Sequence, residues 1–365
     1  MQTPPQTMRA VLLTGNGGFD RLDYRDDVPV PRPKAGEVLI RVGAAGVNNT
    51  DINTRTAWYS KAVTEGTTSA GGAGGFAGAR TEDAGWTGTA PAFPRIQGAD
   101  ACGRIVAVGT GVDPARIGER VLVEPVFRSP AGGDPYRATY FGSECDGAFA
   151  EFAVAPAAHA YRIESALSDA ELASFPCAYS AAENMLTRAG LRAGETVIIT
   201  GASGGVGSAA VQLAKRRGAT VLAVAQASKA ANVLSLGAAR VIPRDAGLVA
   251  EVGREKVDVA IDVVGGEAFP QLLDLLRRGG RYAAAGAIAG PVVPLDLRTL
   301  YLKDLRLVGC TILEPEVFGN LVRYIERGEI KPVIASLHPL SAIVAAQQEF
   351  LTKQHTGKIV LLPAA

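Results

Sequence analysis

The chain has 365 residues, more than one hydrophobic core usually organises, so two domains are expected. Its 37 Lys and Arg residues balance 36 Asp and Glu residues, which argues against a polybasic protein that binds nucleic acid or a membrane surface. With 47% hydrophobic residues, no apolar run that would span a bilayer and no signal-peptide pattern at the N-terminus, the composition predicts a globular cytoplasmic protein.

The first part of the chain consists of short apolar runs separated by Gly and Pro. These runs predict strands at 8–13, 37–47, 103–109 and 119–126, and hence a β-rich domain. Residues 60–93 are rich in small residues and show no helix or strand period, so we expect a long loop there. Two interpretations of this loop stay open, a lid over a ligand or a segment fixed to its own domain.

From about residue 158 apolar strands alternate with helical patterns, which is typical of a parallel sheet covered on both faces. The predicted strands are 196–200, 220–224, 257–262 and 281–286, with 305–309 closing the series.

The first of these strands runs into a glycine-rich turn that opens a helix. Its sequence after Gly201 is Ala-Ser-Gly-Gly-Val-Gly, a dinucleotide-binding fingerprint with Ala at the first position. Gly204 would let the backbone approach a pyrophosphate, and Gly207 would let the helix pack closely on the strand. The residues expected to bind the cofactor here are Ser203, Gly204, Gly205, Val206 and Gly207.

The tip of the second strand, Ala225 to Lys229, lacks the acidic residue that usually binds the ribose of NADH. Lys229 and Arg244 would instead place positive charge near a 2′-phosphate, so NADPH is the expected cofactor. Ser228 belongs to the same tip. Gly265 and Gly286, which follow two later strands, complete the expected cofactor-binding set.

These motifs, together with Gly46-Val47-Asn48-Asn49-Thr50-Asp51, Asp146-Gly147-Ala148-Phe149-Ala150-Glu151 and Gly357-Lys358-Ile359-Val360, resemble the medium-chain dehydrogenase/reductase superfamily, in particular its zinc-independent quinone oxidoreductase-like branch. The resemblance implies an α/β protein with a GroES-like β-rich catalytic domain (1–157 and 308–365) and a Rossmann doubly wound parallel sheet (158–307). It also implies a homodimer formed through an edge strand of the Rossmann sheet.

Zinc-dependent members of this superfamily bind their catalytic metal at positions that here hold Asn48, Ala99 and Cys177. Because Ala99 offers no lone pair and an amide is a poor zinc ligand, no metal is expected. The region that carries a four-cysteine lobe in zinc-dependent members, around 127–146, contains only Cys145.

Without a Lewis acid, hydride transfer is easiest to an acceptor that is activated by conjugation, so a small-molecule quinone or α,β-unsaturated carbonyl is the expected substrate. By resemblance, Thr50 contacts the substrate oxygen or passes a proton, and Asn48 and Ser180 lie at the nicotinamide end. Tyr59 is the candidate proton donor, with solvent as the rival source.

Asn53 departs from the family pattern, because quinone oxidoreductases often have an active-site Tyr at this position. Two alternatives therefore stay open. One is an NADP-dependent alcohol dehydrogenase or carbonyl reductase, and the other is an NADPH-binding protein without turnover.

Overall fold

The computed structural model describes residues 4–128, 133–134 and 136–363. Its strands, in chain order, are β1 (Thr7–Leu13), β2 (Leu22–Pro29), β3 (Glu37–Gly46), β4 (Arg95–Ile96), β5 (Cys102–Val108), β6 (Arg120–Val123), β7 (Val126–Arg128), β8 (Ala138–Tyr140), β9 (Phe152–Pro156), β10 (Ala160–Arg162), β11 (Thr196–Ile199), β12 (Thr220–Ala225), β13 (Arg240–Pro243), β14 (Val257–Asp262), β15 (Leu276–Ala284), β16 (Arg306–Gly309), β17 (Ile334–Pro339) and β18 (Lys358–Leu362).

The α-helices are α1 (Asn49–Arg55), α2 (Ser69–Gly74), α3 (Asp169–Leu172), α4 (Pro176–Arg188), α5 (Gly205–Arg216), α6 (Ala230–Ser235), α7 (Leu248–Val252), α8 (Phe269–Leu275), α9 (Leu297–Leu302), α10 (Val317–Glu326) and α11 (Ile343–Thr352). Among the described residues, no helix is both long and apolar enough to cross a bilayer.

The chain divides into two compact units. The first contains Met1–Val63, Ser69–Cys177 and Val322–Ala365, and the second contains Thr64–Thr68 and Ala178–Leu321. Both boundaries lie later than the expected 157/158 and 307/308. Strand β10 pairs with β6 of the first unit, although it follows the change in sequence texture at about residue 158. Strand β16 closes the sheet of the second unit, as the predicted strand at 305–309 does, and it extends across the expected 307/308 boundary.

The first unit is built around a seven-stranded sheet in the order β10-β6-β5-β3-β18-β17, with β9 also paired to β3. Strand β3 is central, and both faces are largely covered, which is why Leu39 is buried although it breaks the alternation of Val38, Ile40 and Val42. A three-stranded sheet β2-β1-β4 and a β7-β8 hairpin complete this unit.

The second unit is a six-stranded, fully parallel sheet in the order β13-β12-β11-β14-β15-β16. This is the doubly wound order in which two mononucleotide-binding halves diverge from a central strand. The centre is β11, whose Val197, Ile198 and Ile199 are completely buried, as expected for a strand with helices on both faces. The predicted fold class is confirmed.

The expected long loop at 60–93 is more ordered than its composition predicted. It contains helix α2, whose Gly72 carbonyl accepts a hydrogen bond of 2.5 Å from the buried guanidinium of Arg55. A Cβ at Gly72 would lie 2.3 Å from the Leu351 side chain, so close packing against α11 requires the small residues that concealed the helix.

Candidate active site

The first unit places a buried polar network directly after β3. The Lys358 ammonium lies 2.7 Å from Asp100 Oδ2 and 2.5 Å from Asn48 Oδ1. Asn48 Nδ2 donates to Asp100 Oδ2 (2.8 Å) and to the Gly46 carbonyl (3.3 Å), and the Cys177 amide donates to Asp100 Oδ1 (2.6 Å). The Lys358 side chain is only 4% exposed and that of Asp100 is fully buried. Removing one partner of such a pair would leave an uncompensated buried charge.

The side chain of Asn48 makes its hydrogen bonds to other residues of this network. Both amide hydrogens have acceptors, and the amide oxygen accepts from Lys358. The expected contact of Asn48 with nicotinamide or substrate stays a prediction. Sequence reasoning did not find Asp100 and Lys358, which are 258 positions apart.

Asp51, at the start of α1, is a second buried carboxyl. It accepts hydrogen bonds from the backbone amides of Asn48 (2.7 Å) and Gly98 (3.2 Å). Burial raises the pKa of Asp51 to about 7, although these two amides and Lys358 oppose the shift. The carboxyl therefore fixes the turn that carries Asn48 and Thr50.

Thr50 and Tyr59, both predicted catalytic residues, are brought together. The Tyr59 hydroxyl donates to Thr50 Oγ1 at 3.1 Å. Burial raises the pKa of Tyr59 to about 12, so the phenol keeps its proton at neutral pH. Because Tyr59 occupies a lone pair of Thr50 Oγ1, the Thr50 hydroxyl hydrogen is available to an acceptor beyond it.

A second hydroxyl group, Tyr140, was missed in the sequence. Its oxygen lies 3.1 Å from Cys177 Sγ, and its ring stacks on Trp86 with a centroid separation of 4.6 Å. Burial raises the pKa of Cys177 to about 12 and that of Tyr140 well above its usual range. The only sequence signal was an aromatic residue within the 127–146 region, part of which lies outside the described residues.

In the second unit, the glycine-rich turn has the geometry of an anion site. Gly201 adopts a positive φ of 58°, the Gly204 amide donates to the Gly201 carbonyl at 3.0 Å, and α5 starts at Gly205. The first-turn amides of α5 have no intrahelical acceptor and carry the positive end of the helix dipole. A Cβ at Gly207 would lie 2.1 Å from the Gly201 carbonyl oxygen, whereas one at Gly204 would be in ordinary contact at 3.4 Å.

Two cations lie at the strand tips beside this turn. Lys229 follows β12 and is largely buried, while Arg244 follows β13 and its amide donates to the Ala225 carbonyl at 3.0 Å. With the Gln226 amide oriented to satisfy its neighbours, its oxygen accepts from the Arg244 guanidinium at 3.1 and 3.2 Å. Burial and then the charge of Arg244 lower the pKa of Lys229, so these like charges are close. Ser228 is exposed beside them.

The loop after β14 is fixed by the buried carboxylate of Asp262. It accepts from the Tyr282 hydroxyl (2.6 Å) and from the Thr200 hydroxyl (2.5 Å), and also from the Gly265 amide at 3.1 Å. Gly265 has a positive φ of 64°. These bonds place the loop at the carboxyl ends of β11 and β14, where open α/β sheets bind their ligands.

The loop after β15 contains Gly286 and contacts the short stretch Thr64–Thr68 of the same unit. The Thr67 amide donates to the Ile288 carbonyl at 2.8 Å, and the Ala289 amide donates to the Val264 carbonyl at 2.8 Å. Ser180 lies on α4 and is buried. Cofactor contacts of Gly265, Gly286 and Ser180 stay predictions.

Known proteins share this architecture. A family model described as the alcohol dehydrogenase GroES-like domain matches residues 34–165, and one described as zinc-binding dehydrogenase matches 205–327. Quinone oxidoreductase of Mus musculus is 30% identical, covering 99% of this chain and 100% of its own. Acryloyl-coenzyme A reductase of Metallosphaera sedula is 28% identical, covering 97% and 99%.

Among solved structures, a Sinorhizobium meliloti 1021 protein assigned as an alcohol dehydrogenase is 47% identical, with a TM-score of 0.89 and coverage of 99% of this chain and 98% of that chain. The chain belongs to the medium-chain dehydrogenase/reductase superfamily of oxidoreductases. The predicted membership is confirmed.

Proposed function

We propose that the protein is an NADPH-dependent reductase that transfers a hydride to a conjugated acceptor, a quinone or an α,β-unsaturated carbonyl, without zinc. The observation that carries this proposal is the donor set around Asn48. Hydroxyl groups of Thr50 and Tyr59 stand beside positions that hold zinc ligands in metal-dependent relatives. Two relatives are named as a quinone oxidoreductase and an acryloyl-coenzyme A reductase, which agrees with this substrate class.

The residues at the three metal-ligand positions do not fit a catalytic zinc. Asn48 Oδ1 accepts from an ammonium group and Ala99 has no donor atom, so of the three residues only Cys177 could bind zinc, which needs three protein ligands. A zinc ligand must be deprotonated and have a free lone pair. The chain's own hydroxyl groups must therefore polarise the acceptor.

Held by the glycine-rich turn with Lys229 and Arg244, NADPH would supply a hydride to the conjugated carbon of the acceptor, or to a quinone, and an electron pair of the acceptor would move onto its oxygen. The Thr50 hydroxyl donates a hydrogen bond to that oxygen, and Tyr59 supports Thr50 from behind. One proton completes the reduction. It comes from Tyr59 through Thr50 or from solvent, and solvent then restores the phenol.

The first test is consumption of NADPH with quinones, enones, enoyl thioesters, aldehydes and alcohols. We expect turnover with conjugated acceptors that chelators leave unchanged, and Thr50→Val should lower kcat at least about 10-fold while NADPH affinity is retained. Activity that is lost to a chelator and restored by zinc would contradict the proposal. Faster oxidation of a saturated alcohol by NADP would favour an alcohol dehydrogenase, and tight NADPH binding without turnover would favour a binding protein.

The cofactor preference is proposed from Lys229 and Arg244, two like charges held together at the strand tips. A 2′-phosphate at this position would be attracted by both charges. Lys229→Ala should weaken NADPH binding roughly 10-fold and leave NADH binding nearly unchanged. Lys256→Ala, a surface change in the same unit, is the control. An equal loss for both cofactors in Lys229→Ala would exclude this lysine from the phosphate site.

We also propose a homodimer formed through β16. This strand is the edge of the six-stranded sheet, and Leu307 on it and Tyr301 and Leu302 on α9 are exposed. An exposed edge strand flanked by exposed apolar side chains readily pairs with a second copy.

A further inference from the structure

Three side chains from distant parts of the first unit contact one another in series. Trp86, from the 60–93 segment, stacks on the ring of Tyr140 from β8, and the Tyr140 hydroxyl lies 3.1 Å from the Cys177 thiol. The Cys177 amide donates to Asp100, which also accepts from the side chain of Asn48, two residues before Thr50. Tyr140 is therefore connected through Cys177 to the buried network that precedes Thr50.

We infer that Tyr140 is a second substrate-contacting hydrogen-bond donor, which acts with Thr50 on the oxygen of the conjugated acceptor. Its present neighbour, a thiol sulfur, is a weak hydrogen-bond acceptor. A carbonyl oxygen that gains negative charge is a much stronger one, so it competes successfully for the phenolic hydrogen. Burial keeps this phenol protonated, which suits a donor that keeps its proton.

The chemical role follows from the proposed function, on which this inference rests. When the hydride adds to the conjugated carbon, the electron pair moves to the acceptor oxygen, which then carries most of the new charge. Two donors, the Thr50 hydroxyl and the Tyr140 hydroxyl, would stabilise that oxygen more in the transition state than in the ground state. No bond to Tyr140 forms or breaks, and the proton that completes the reduction has the source given above.

The 60–93 segment holds Tyr140 in place. The Glu144 carboxylate accepts from the Tyr140 amide at 3.2 Å with one oxygen and from the Thr87 amide at 3.2 Å with the other. The Gly85 amide donates to the Thr89 carbonyl at 2.8 Å and closes the turn that carries Trp86. The stacked indole of Trp86 thus fixes the orientation of the Tyr140 ring. The segment would therefore position the hydroxyl that contacts the substrate.

The experiment measures carbonyl polarisation without turnover. 4-Dimethylaminocinnamaldehyde absorbs at longer wavelength when its carbonyl oxygen accepts strong hydrogen bonds, so its spectrum is recorded with the full-length protein saturated with NADP. We expect a red shift with the wild type that falls by at least about half in Tyr140→Phe. In NADPH turnover with an enone, Tyr140→Phe should lower kcat roughly 10- to 100-fold with little change in KM.

Two further variants make the result specific. Tyr161→Phe removes a phenol elsewhere in the first unit, near Glu124 and Arg128, and should keep both the red shift and kcat. Trp86→Leu should reduce the red shift partly, since Tyr140 keeps its hydroxyl but loses the stacked ring, and it tests the inference even if Tyr140→Phe does not fold.

A wild-type red shift that persists undiminished in folded Tyr140→Phe would overturn the inference, as would an absent shift in the wild type with the aldehyde bound. Failure of the proposed function looks different. In that case no conjugated acceptor consumes NADPH, while the red shift and its dependence on Tyr140 remain measurable.

Discussion

Asp51 is a buried carboxyl group, and burial destabilises its charged form. Its pKa of about 7 lies above the ordinary value of 3.8, so between these values the native state binds more protons than the unfolded state. Its contribution to the free energy of unfolding is therefore most favourable below pH 4, falls as pH rises, and levels off above pH 7.

Asp51→Asn should remove this pH dependence, because the amide does not titrate. Relative to the wild type, the variant should gain roughly 2.5 kcal/mol in free energy of unfolding between pH 5 and pH 8, measured by urea unfolding across that range. Asp23→Asn, at an exposed carboxyl, should keep the wild-type pH dependence. Parallel profiles for Asp51→Asn and the wild type would show that Asp51 titrates in the same range in both states.

At this scale the sequence predicted what lies close along the chain. Thr50 and Tyr59 are nine positions apart, and helix α1 with the turns that follow it brings them together. The contacts of Asp100 with Lys358 and of Tyr140 with Cys177 depend on how distant strands pair. No local pattern encodes that pairing, because both sets of partners are ordinary residues in their own segments.

Helix α5 and its preceding turn contain two glycines with different structural requirements. Gly204 has space for a side chain and an ordinary φ of −77°, whereas a Cβ at Gly207 would collide with the backbone at Gly201. The first glycine is therefore free for ligand approach, and the second is required for packing.

The matched pair Gly204→Val and Gly207→Ala should separate these requirements. Gly204→Val should fold with a melting temperature near that of the wild type but raise the Kd for NADPH at least about 100-fold, since its side chain would meet the pyrophosphate. Gly207→Ala should lose about 3 kcal/mol or more of stability through overpacking. NADPH binding by Gly204→Val with wild-type affinity would show that the cofactor lies elsewhere.

The elements themselves were largely predictable, since strands such as β11 and β14 are continuous apolar runs between glycines. Helix α2 was not, because its sequence, Ser-Ala-Gly-Gly-Ala-Gly, combines poor helix formers with no apolar stripe. Packing against Leu351 and the hydrogen bond from Arg55 stabilise it instead.

At the scale of the whole molecule, the first unit extends to Cys177, beyond the change in sequence texture at about residue 158. A short strand such as β10 carries no sequence signal that assigns it to one unit or the other. The order of the strands within each sheet could be predicted only from the family resemblance, because local sequence patterns do not show which distant strands pair. The pairing of β3 with β18, for instance, joins residues 45–46 to 360–361.

The proposed dimer concerns the molecule as a whole, because it would form through the exposed edge strand β16. Leu307→Lys should convert it to a monomer, measured by light scattering at micromolar concentration, because a charge on the apolar edge opposes pairing of two copies. Leu337→Lys changes another exposed leucine, on β17, an edge strand of the seven-stranded sheet, and should leave the mass unchanged. A monomeric wild type, or an unchanged dimer in Leu307→Lys, would contradict the assignment.

Strand β18 lies inside the seven-stranded sheet, and its first residue supplies the buried ammonium beneath Asn48. During translation, the β-rich unit therefore stays incomplete until residue 362 has left the ribosome, whereas the parallel sheet of the second unit is fully synthesised earlier. The nascent β-rich unit must meanwhile keep Asp100 without its counter-charge and β3 without one neighbour. Until β18 has been synthesised, the β-rich unit exposes unpaired strand edges, which makes it prone to aggregation.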